Sequence, residues 1–352
     1  MSATKTIIEL SCPAPLSAKD TVLLGHGSGG KLSAELVHDI FLPVFSNPAL
    51  ARLDDQAIVS INGQRLAITT DSFVVKPLFF PGGDIGSLAV HGTINDLAMG
   101  GATPLYLSAA FIIEEGFSIE QLKQIVDSMH GAAETAGVQI VTGDTKVVEK
   151  GKGDGLFINT TGIGIVSNGV NLSADQAHPG DLILLSGPIG EHGIAILAQR
   201  EGLDFETAIE SDSAALHTLT AKMLEASRDI RCMRDPTRGG ISSTLNEIAQ
   251  QSQVGIELEE RTIPIREEVR GACEMLGLDP LYVANEGKLI AIVAPGAAAA
   301  VLAAMRQHPL GQQAAIIGSV TSSDESLVIM RTDFGTTRIV DMLAGDQLPR
   351  IC

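Results

Sequence analysis

The chain has 352 residues, 45% of them hydrophobic, with 37 glycines, no tryptophan and two tyrosines. That length holds a sizeable core and, at roughly 100–200 residues per domain, two domains. A formal net charge of −18 argues against nucleic-acid or anionic-membrane partners, and no stretch approaches the ~20 uninterrupted apolar residues of a membrane span. Residues 1–20 lack the charged-then-apolar layout of a signal peptide. The cysteines Cys12, Cys232, Cys273 and Cys352 form no C-x-x-C pair, which argues against a zinc site or disulfide framework and for a reducing, cytoplasmic setting.

Residues 1–20 read as an irregular, frayed segment. Gly25-His26-Gly27-Ser28-Gly29-Gly30-Lys31 follows, then an amphipathic helical pattern with Leu32, Leu36 and Ile40. A glycine-rich loop ending in lysine before a helix can cradle phosphate. It lacks P-loop spacing, and a flexible linker is the plainer alternative. The segment from Leu53 to Val59 leads to a hairpin turn at Asn62-Gly63. The strand returning from Leu66 ends at Asp71, where an α/β fold gathers ligand groups or where an ordinary turn needs a cap.

Asp84 suits the N-cap of the next helix. In that helix Ile85, Ala89, Gly92, Asp96 and Met99 share one stripe, while Val90, Ile94, Leu97 and Ala98 cover the other side. A helix apolar all round is buried, and a carboxylate such as Asp96 in it is costly unless paired or metal-bound. A helix from Glu120 to Ala136 stops at Gly137. The strand Val138 to Thr142 then feeds a turn, Gly143-Asp144-Thr145-Lys146, which is either a site or a polar hairpin turn. The strand Leu156 to Val166 follows.

A second unit opens near Ala177. The strand Asp181 to Ser186 passes through Gly187-Pro188-Ile189-Gly190 into a helix from Glu191. Asp235-Pro236-Thr237-Arg238-Gly239-Gly240 precedes a helix from Ile241 with Thr237 as its expected N-cap, a plausible phosphate site or a salt-bridged cap. Glu267 to Leu276 reads as a helix, and Asn285-Glu286-Gly287-Lys288 leads to a buried strand, Leu289 to Val293. A helix from Ala297 to Met305 and strands around Ile316 and Val328 complete the unit. His26, His91 and His192 have no ligand-spaced partners. The chain closes on Pro349-Arg350-Ile351-Cys352. Pro349 stiffens the approach and Arg350 favours thiolate at Cys352, which suits a thiol carrying a group on a mobile arm.

These motifs, in this order and with this terminal tetrapeptide, resemble the hydrogenase maturation carbamoyl dehydratase family (HypE) of the aminoimidazole ribonucleotide synthetase and selenophosphate synthetase superfamily. The resemblance runs from about Leu24 to the last residue. It implies an α/β (α+β) fold with an N-terminal arm and glycine-rich loop (1–44), an ATP-binding and dimerisation domain (45–170), a C-terminal α/β domain (171–342) and a mobile tail (343–352). Two N-terminal domains would pair into a dimeric β-barrel. ATP and Mg²⁺ are the implied cofactors, with Asp55, Asp71, Asp96 and Asp235 as metal ligands. Lys31, Asn95, Gly143, Asp144, Thr145 and Arg238 would surround the nucleotide.

The implied reaction converts a thiocarbamate on Cys352 to a thiocyanate, with Glu286 the first candidate base and Lys146 the second. The carbamoyl group would come from a carbamoyltransferase, HypF, and the cyanide would pass to the iron of a NiFe hydrogenase through a HypC–HypD scaffold. The alternative is ATP-dependent phosphorylation of a free small-molecule amide, which would not need Cys352.

Overall fold

The computed structural model describes residues 21–203, 208–323, 325–345 and 350–352. Readings that fall on residues 1–20, Cys12 among them, and on Pro349 lie outside the described residues. The glycine loop runs into helix α1 (Lys31–Leu36), which continues through a wider turn into α2 (Leu42–Phe45). None of these helical residues is buried.

The first sheet follows. Strands β1 (Ala57–Ile61) and β2 (Gln64–Phe73) form the hairpin, whose turn takes Asn62 and Gly63 to positive φ, as a two-residue turn of this type requires. A short hairpin, β3 (Phe79–Phe80) and β4 (Gly83–Asp84), precedes helix α3 (Ile85–Met99). Strand β5 (Ala102–Glu114), helix α4 (Ile119–Ala136) and strands β6 (Gln139–Val148) and β7 (Leu156–Val166) complete the unit. The sheet order is β1-β2-β7-β5-β6, antiparallel except for the β5–β6 pair. It is open, with β1 and β6 at its edges.

The second unit is a seven-stranded sheet in the order β14-β13-β10-β12-β8-β11-β9. Its strands are β8 (Leu182–Leu185), β9 (Ile230–Arg234), β10 (Gly255–Glu259), β11 (Ile290–Val293), β12 (Ala315–Thr321), β13 (Val328–Arg331) and β14 (Thr337–Ile339). Helices α5 (Glu191–Glu201), α6 (His217–Ala226), α7 (Gly240–Ser252), α8 (Glu267–Leu276) and α9 (Pro295–Arg306) connect them. Among the described residues no helix is long and apolar enough to cross a membrane.

Helix α3 joins the two units. Asp84 caps it, accepting from the backbone of Gly86 and Ser87 at 2.7 and 3.0 Å, while the Ser87 hydroxyl bonds back to the Asp84 amide. That reciprocal box satisfies orphan donors at the first turn. The helix packs on β2, β5, β7 and α4, and also on α6 and β9 of the second unit. Leu97, Ala98 and Met99 accordingly share a core with Leu184, Leu219 and Met233.

Three sequence expectations are corrected. Asp71 lies inside β2, which runs on to Phe73. Gly143–Lys146 is no turn but the middle of β6, a strand exposed almost throughout, so the alternation that marks a half-buried strand is missing. Thr237 does not cap α7. Gly239, at φ 80°, stands at that N-cap, and the Thr237 carbonyl accepts from the Gly240 amide at 3.0 Å.

Leu97→Ala should open a cavity at the junction of the two units and cost about 2–5 kcal/mol. Chemical denaturation should register this as a lower midpoint.

Candidate active site

Six carboxyl groups meet where the two sheets approach each other, Glu247 of α7 among them in an ion pair with Arg234. Asp55 comes just before β1, Asp71 from β2, Asp96 from α3, Asp235 just after β9 and Glu286 from the loop before β11. With Cys352 they line a cavity of 250 Å³. Asp71 reaches it by strand alternation, sharing a face of β2 with the buried Ala67, Thr69 and Phe73. Asp96 accepts from the Thr69 hydroxyl at 2.7 Å. Asp55 Oδ1 lies 2.8 Å from Arg234 Nε. Asp55 Oδ2 and Glu286 Oε1 are buried with no hydrogen-bond partner.

Burial pushes the carboxyls of Asp55, Asp96 and Glu286 well above the usual range, and the Asp235 charge adds to each. Asp71 is raised by burial and held back by the Arg238 guanidinium. Asp235, buried and facing Asp71, is pushed up to about 6. Acids crowded together out of water favour any cation that joins them. Among the described residues no three His, Cys, Asp or Glu side chains converge as one ligand set. A divalent ion would therefore take one or two of these carboxylates and complete its shell with phosphate and water oxygens, the usual habit of Mg²⁺. The unpartnered Asp55 Oδ2 fits that role.

The remaining expected site residues divide. Arg238 lines the cavity and donates to the Gly27 carbonyl at 2.7 Å, drawing the glycine loop over the site. Gly29 is left-handed there, and a Cβ on it would meet the Arg238 carbonyl oxygen at 2.5 Å, so only glycine fits. Lys31 turns away to Asp341, Nζ to Oδ2 2.6 Å. Asn95 is buried and fully engaged. Its amide donates to the Ala214 and Glu286 carbonyls at 3.0 and 3.1 Å, and its oxygen accepts from the Leu216 amide at 2.8 Å. It holds the Glu286 loop. Gly143, Asp144 and Thr145 line a separate groove of 1330 Å³ between α4 and β6. Lys146 pairs with Asp144 at 2.5 Å on that exposed strand, so within one chain none of the four reaches the carboxyl cavity.

The end of the chain is seated in the site. The Ile351 side chain is buried in the core of the first unit. Arg350, at φ 57°, pairs with Asp154. Its carbonyl accepts from the Lys76 amide at 3.1 Å and from Arg200 at 2.8 Å. The Val74 amide donates to a terminal oxygen of Cys352 at 3.1 Å, and His192 Nε2 lies 2.6 Å from the Ile351 carbonyl. The Cys352 thiol lines the cavity with Glu286, and burial pushes it well above its usual range despite the nearby Arg238 charge. Sequence reasoning missed Asp154, Arg200, His192 and Arg234. Asp154, Arg200 and His192 acquire a role only where the tail folds back, and Arg234 only where Asp55 and Glu247 close on it.

Comparison with known proteins agrees with this arrangement. The AIR synthase related protein N-terminal domain matches residues 53–166, and the C-terminal domain of the same name matches residues 178–330. The carbamoyl dehydratase HypE of Bradyrhizobium diazoefficiens is 60% identical over 330 residues, 94% of this chain and 95% of that protein. A crystal structure of the hydrogenase maturation protein HypE in complex with ATP is 53% identical, with a TM-score of 0.80 over 94% of this chain and 100% of that one. A HypE–HypF complex gives 50% identity and a TM-score of 0.84 over 88% of this chain and 99% of that one.

A carboxyl whose folded pKa is raised destabilises the fold as pH climbs through the interval between its unfolded and folded values. For Asp235 that interval runs from 3.8 to about 6. Asp235→Asn should therefore raise the melting temperature of the ligand-free protein at pH 7.5 by several degrees. Thermal scans should show the gain shrink below pH 6 and vanish below roughly pH 4.

Proposed function

The chain belongs to the carbamoyl dehydratase HypE family of AIR synthase related proteins, and from that premise we propose that it converts an S-carbamoyl group on its own Cys352 to S-cyanide, using ATP. The product would supply the cyanide ligand of a NiFe-hydrogenase iron. The seated tail carries this reading, because the thiol that would bear the group lines the carboxyl cavity together with Glu286. A free-substrate phosphotransferase would give that half-buried thiol no task.

ATP supplies a phosphoryl group to the amide oxygen, and loss of phosphate with both N–H protons leaves –S–C≡N. The chain's residues do the rest. Glu286 is the base, its basicity raised by burial and by the Asp235 and Asp71 charges, and it lines the same cavity as the sulfur that brings in the nitrogen. One or two of Asp55, Asp71, Asp96 and Asp235 would hold magnesium, with phosphate and water oxygens completing its shell, and Arg238 would offset phosphate charge beside Cys352. Lys31 is left out of this scheme because Asp341 holds it.

A second copy of the chain supports the nucleotide side. Strand β6 is an unpaired edge exposing Val141 and Val147, and the neighbouring sheet face exposes Tyr106 and Ile112. Unpaired apolar edges favour pairing. Two such sheets closing into a dimeric barrel would cover these residues and give Gly143, Asp144, Thr145 and Lys146 a nucleotide to meet.

Loading must happen elsewhere. The thiolate is the nucleophilic form, and the seated thiol is held protonated, so the tail would leave the cavity to receive a carbamoyl group from HypF. It would leave again to hand cyanide to HypC–HypD. The HypE–HypF complex among the solved relatives supports the first of these encounters, and the free thiol supports a reducing compartment, the cytoplasm.

Incubation with HypF, carbamoyl phosphate and ATP should add to Cys352 the mass that replaces S–H by S–CN, read by intact mass and peptide mapping. Cys352→Ala should show no adduct yet bind ATP as the wild type does. Glu286→Gln should stop at the heavier carbamoyl adduct, with dehydration slowed roughly a hundredfold or more. An unmodified Cys352 in the presence of demonstrably active HypF would refute the proposal.

A further inference from the structure

The docked tail is held by its backbone, and one of its holders is wired to the loop that carries Glu286. His192 is fully buried on α5, its ring edge-on to Phe80 at 5.6 Å between centroids. Burial lowers its pKa, which leaves one proton on the ring. The Ile351 carbonyl, 2.6 Å from Nε2, can only accept, so that proton sits on Nε2. Nδ1 then accepts from the Ser211 hydroxyl at 2.7 Å. The neighbouring Asp212 carboxylate accepts from the amides of Glu286 and Gly287 at 3.1 and 3.2 Å. Lys288 braces it at 3.3 Å and is itself held by Glu191 at 3.1 Å. Ser211 thus reaches the tail through His192, and the adjacent Asp212 reaches the Glu286 loop.

We propose that His192 is a positioning residue that registers the seated tail through the Ile351 carbonyl and, through Ser211 and Asp212, couples seating to the placement of Glu286. The proposal rests on Cys352 being the carrier. Its contact with the tail is to a main-chain oxygen, so it accepts the tail whatever group the sulfur bears. An ordinary buried histidine would be satisfied by its own domain. Here the Nε2 proton has its partner only while the tail is in, and withdrawal leaves a buried donor unpaired.

Two readouts test it on the full-length protein. The first is the rate at which iodoacetamide alkylates Cys352, mapped by peptide mass with the buried Cys232 and Cys273 as internal controls. The second is single-turnover dehydration after cyanate has added to the thiol, which gives –S–C(=O)–NH₂ directly. His192→Phe should speed alkylation about tenfold, the loss of one buried hydrogen bond, and slow dehydration by at least as much, with ATP affinity within twofold of wild type. His192→Gln, whose amide can both donate to Ile351 and accept from Ser211, should restore both rates.

Ser211→Ala should slow dehydration while leaving alkylation within about threefold, since it breaks the relay and spares the tail contact. It also serves as the test if His192→Phe does not fold. Unchanged alkylation in a folded His192→Phe protein overturns the registering role. Unchanged dehydration in Ser211→Ala overturns the coupling. Failure of the carrier reading looks different, because wild-type protein would then show no dehydration of the Cys352 adduct at all.

Discussion

Crowding of carboxyl groups away from water governs this molecule. Asp55, Asp71, Asp96, Asp235 and Glu286 arrive from both sheets and from α3, and each is costly where it stands. Two arginines offset part of that cost: Arg234 is bonded to Asp55, and Arg238 lies close enough to Asp71 to hold its carboxyl down. The rest is left as an electrostatic demand that a cation and a polyphosphate would meet together. The hydrophobic junction around α3 keeps the acids from relaxing apart, so folding energy is spent holding a site whose ligands are then bound more tightly.

The same cavity accepts the chain's own end. Seating half-buries Cys352, pushes its thiol above the usual range and sets it in one cavity with Glu286. On the proposed function, the environment that suits proton removal from a carbamoyl nitrogen is wrong for thiolate attack, and the two halves of the chemistry would be separated by the position of one short arm. A single rigid site would have to compromise between a low thiol pKa and a strong carboxylate base. Moving the sulfur avoids the compromise.

Much of this was legible in the residues. Asp84 as a cap, Asn62-Gly63 as a turn and α3 as a buried helix followed from local chemistry, and the ordered motifs led to the family. The acids expected as metal ligands do gather at one cavity. Strand β6 was misread because neither of its faces is buried in one chain, so the run Gly143–Lys146 carried only the polar signature of a turn. Asn95 and Lys31 were assigned to the nucleotide by motif position, whereas their tertiary partners, the Ala214–Leu216 backbone and Asp341, are distant in sequence. His192 sat beside a glycine with nothing to mark it, since its partner is a carbonyl at the far end of the chain.

The left-handed backbone at Arg350 bears on how long the tail stays. That conformation costs a non-glycine residue about 1 kcal/mol or more, a handicap present only in the seated state. A segment tethered to its own receptor experiences an effective concentration in the millimolar range, enough to lock even modest contacts shut. The unfavourable dihedral works against that tethering advantage, weakening the seated state without removing a single contact that defines its geometry. On the proposed function this would let the arm be both accurately seated and short-lived, as a shuttle between a partner's surface and an interior cavity would have to be.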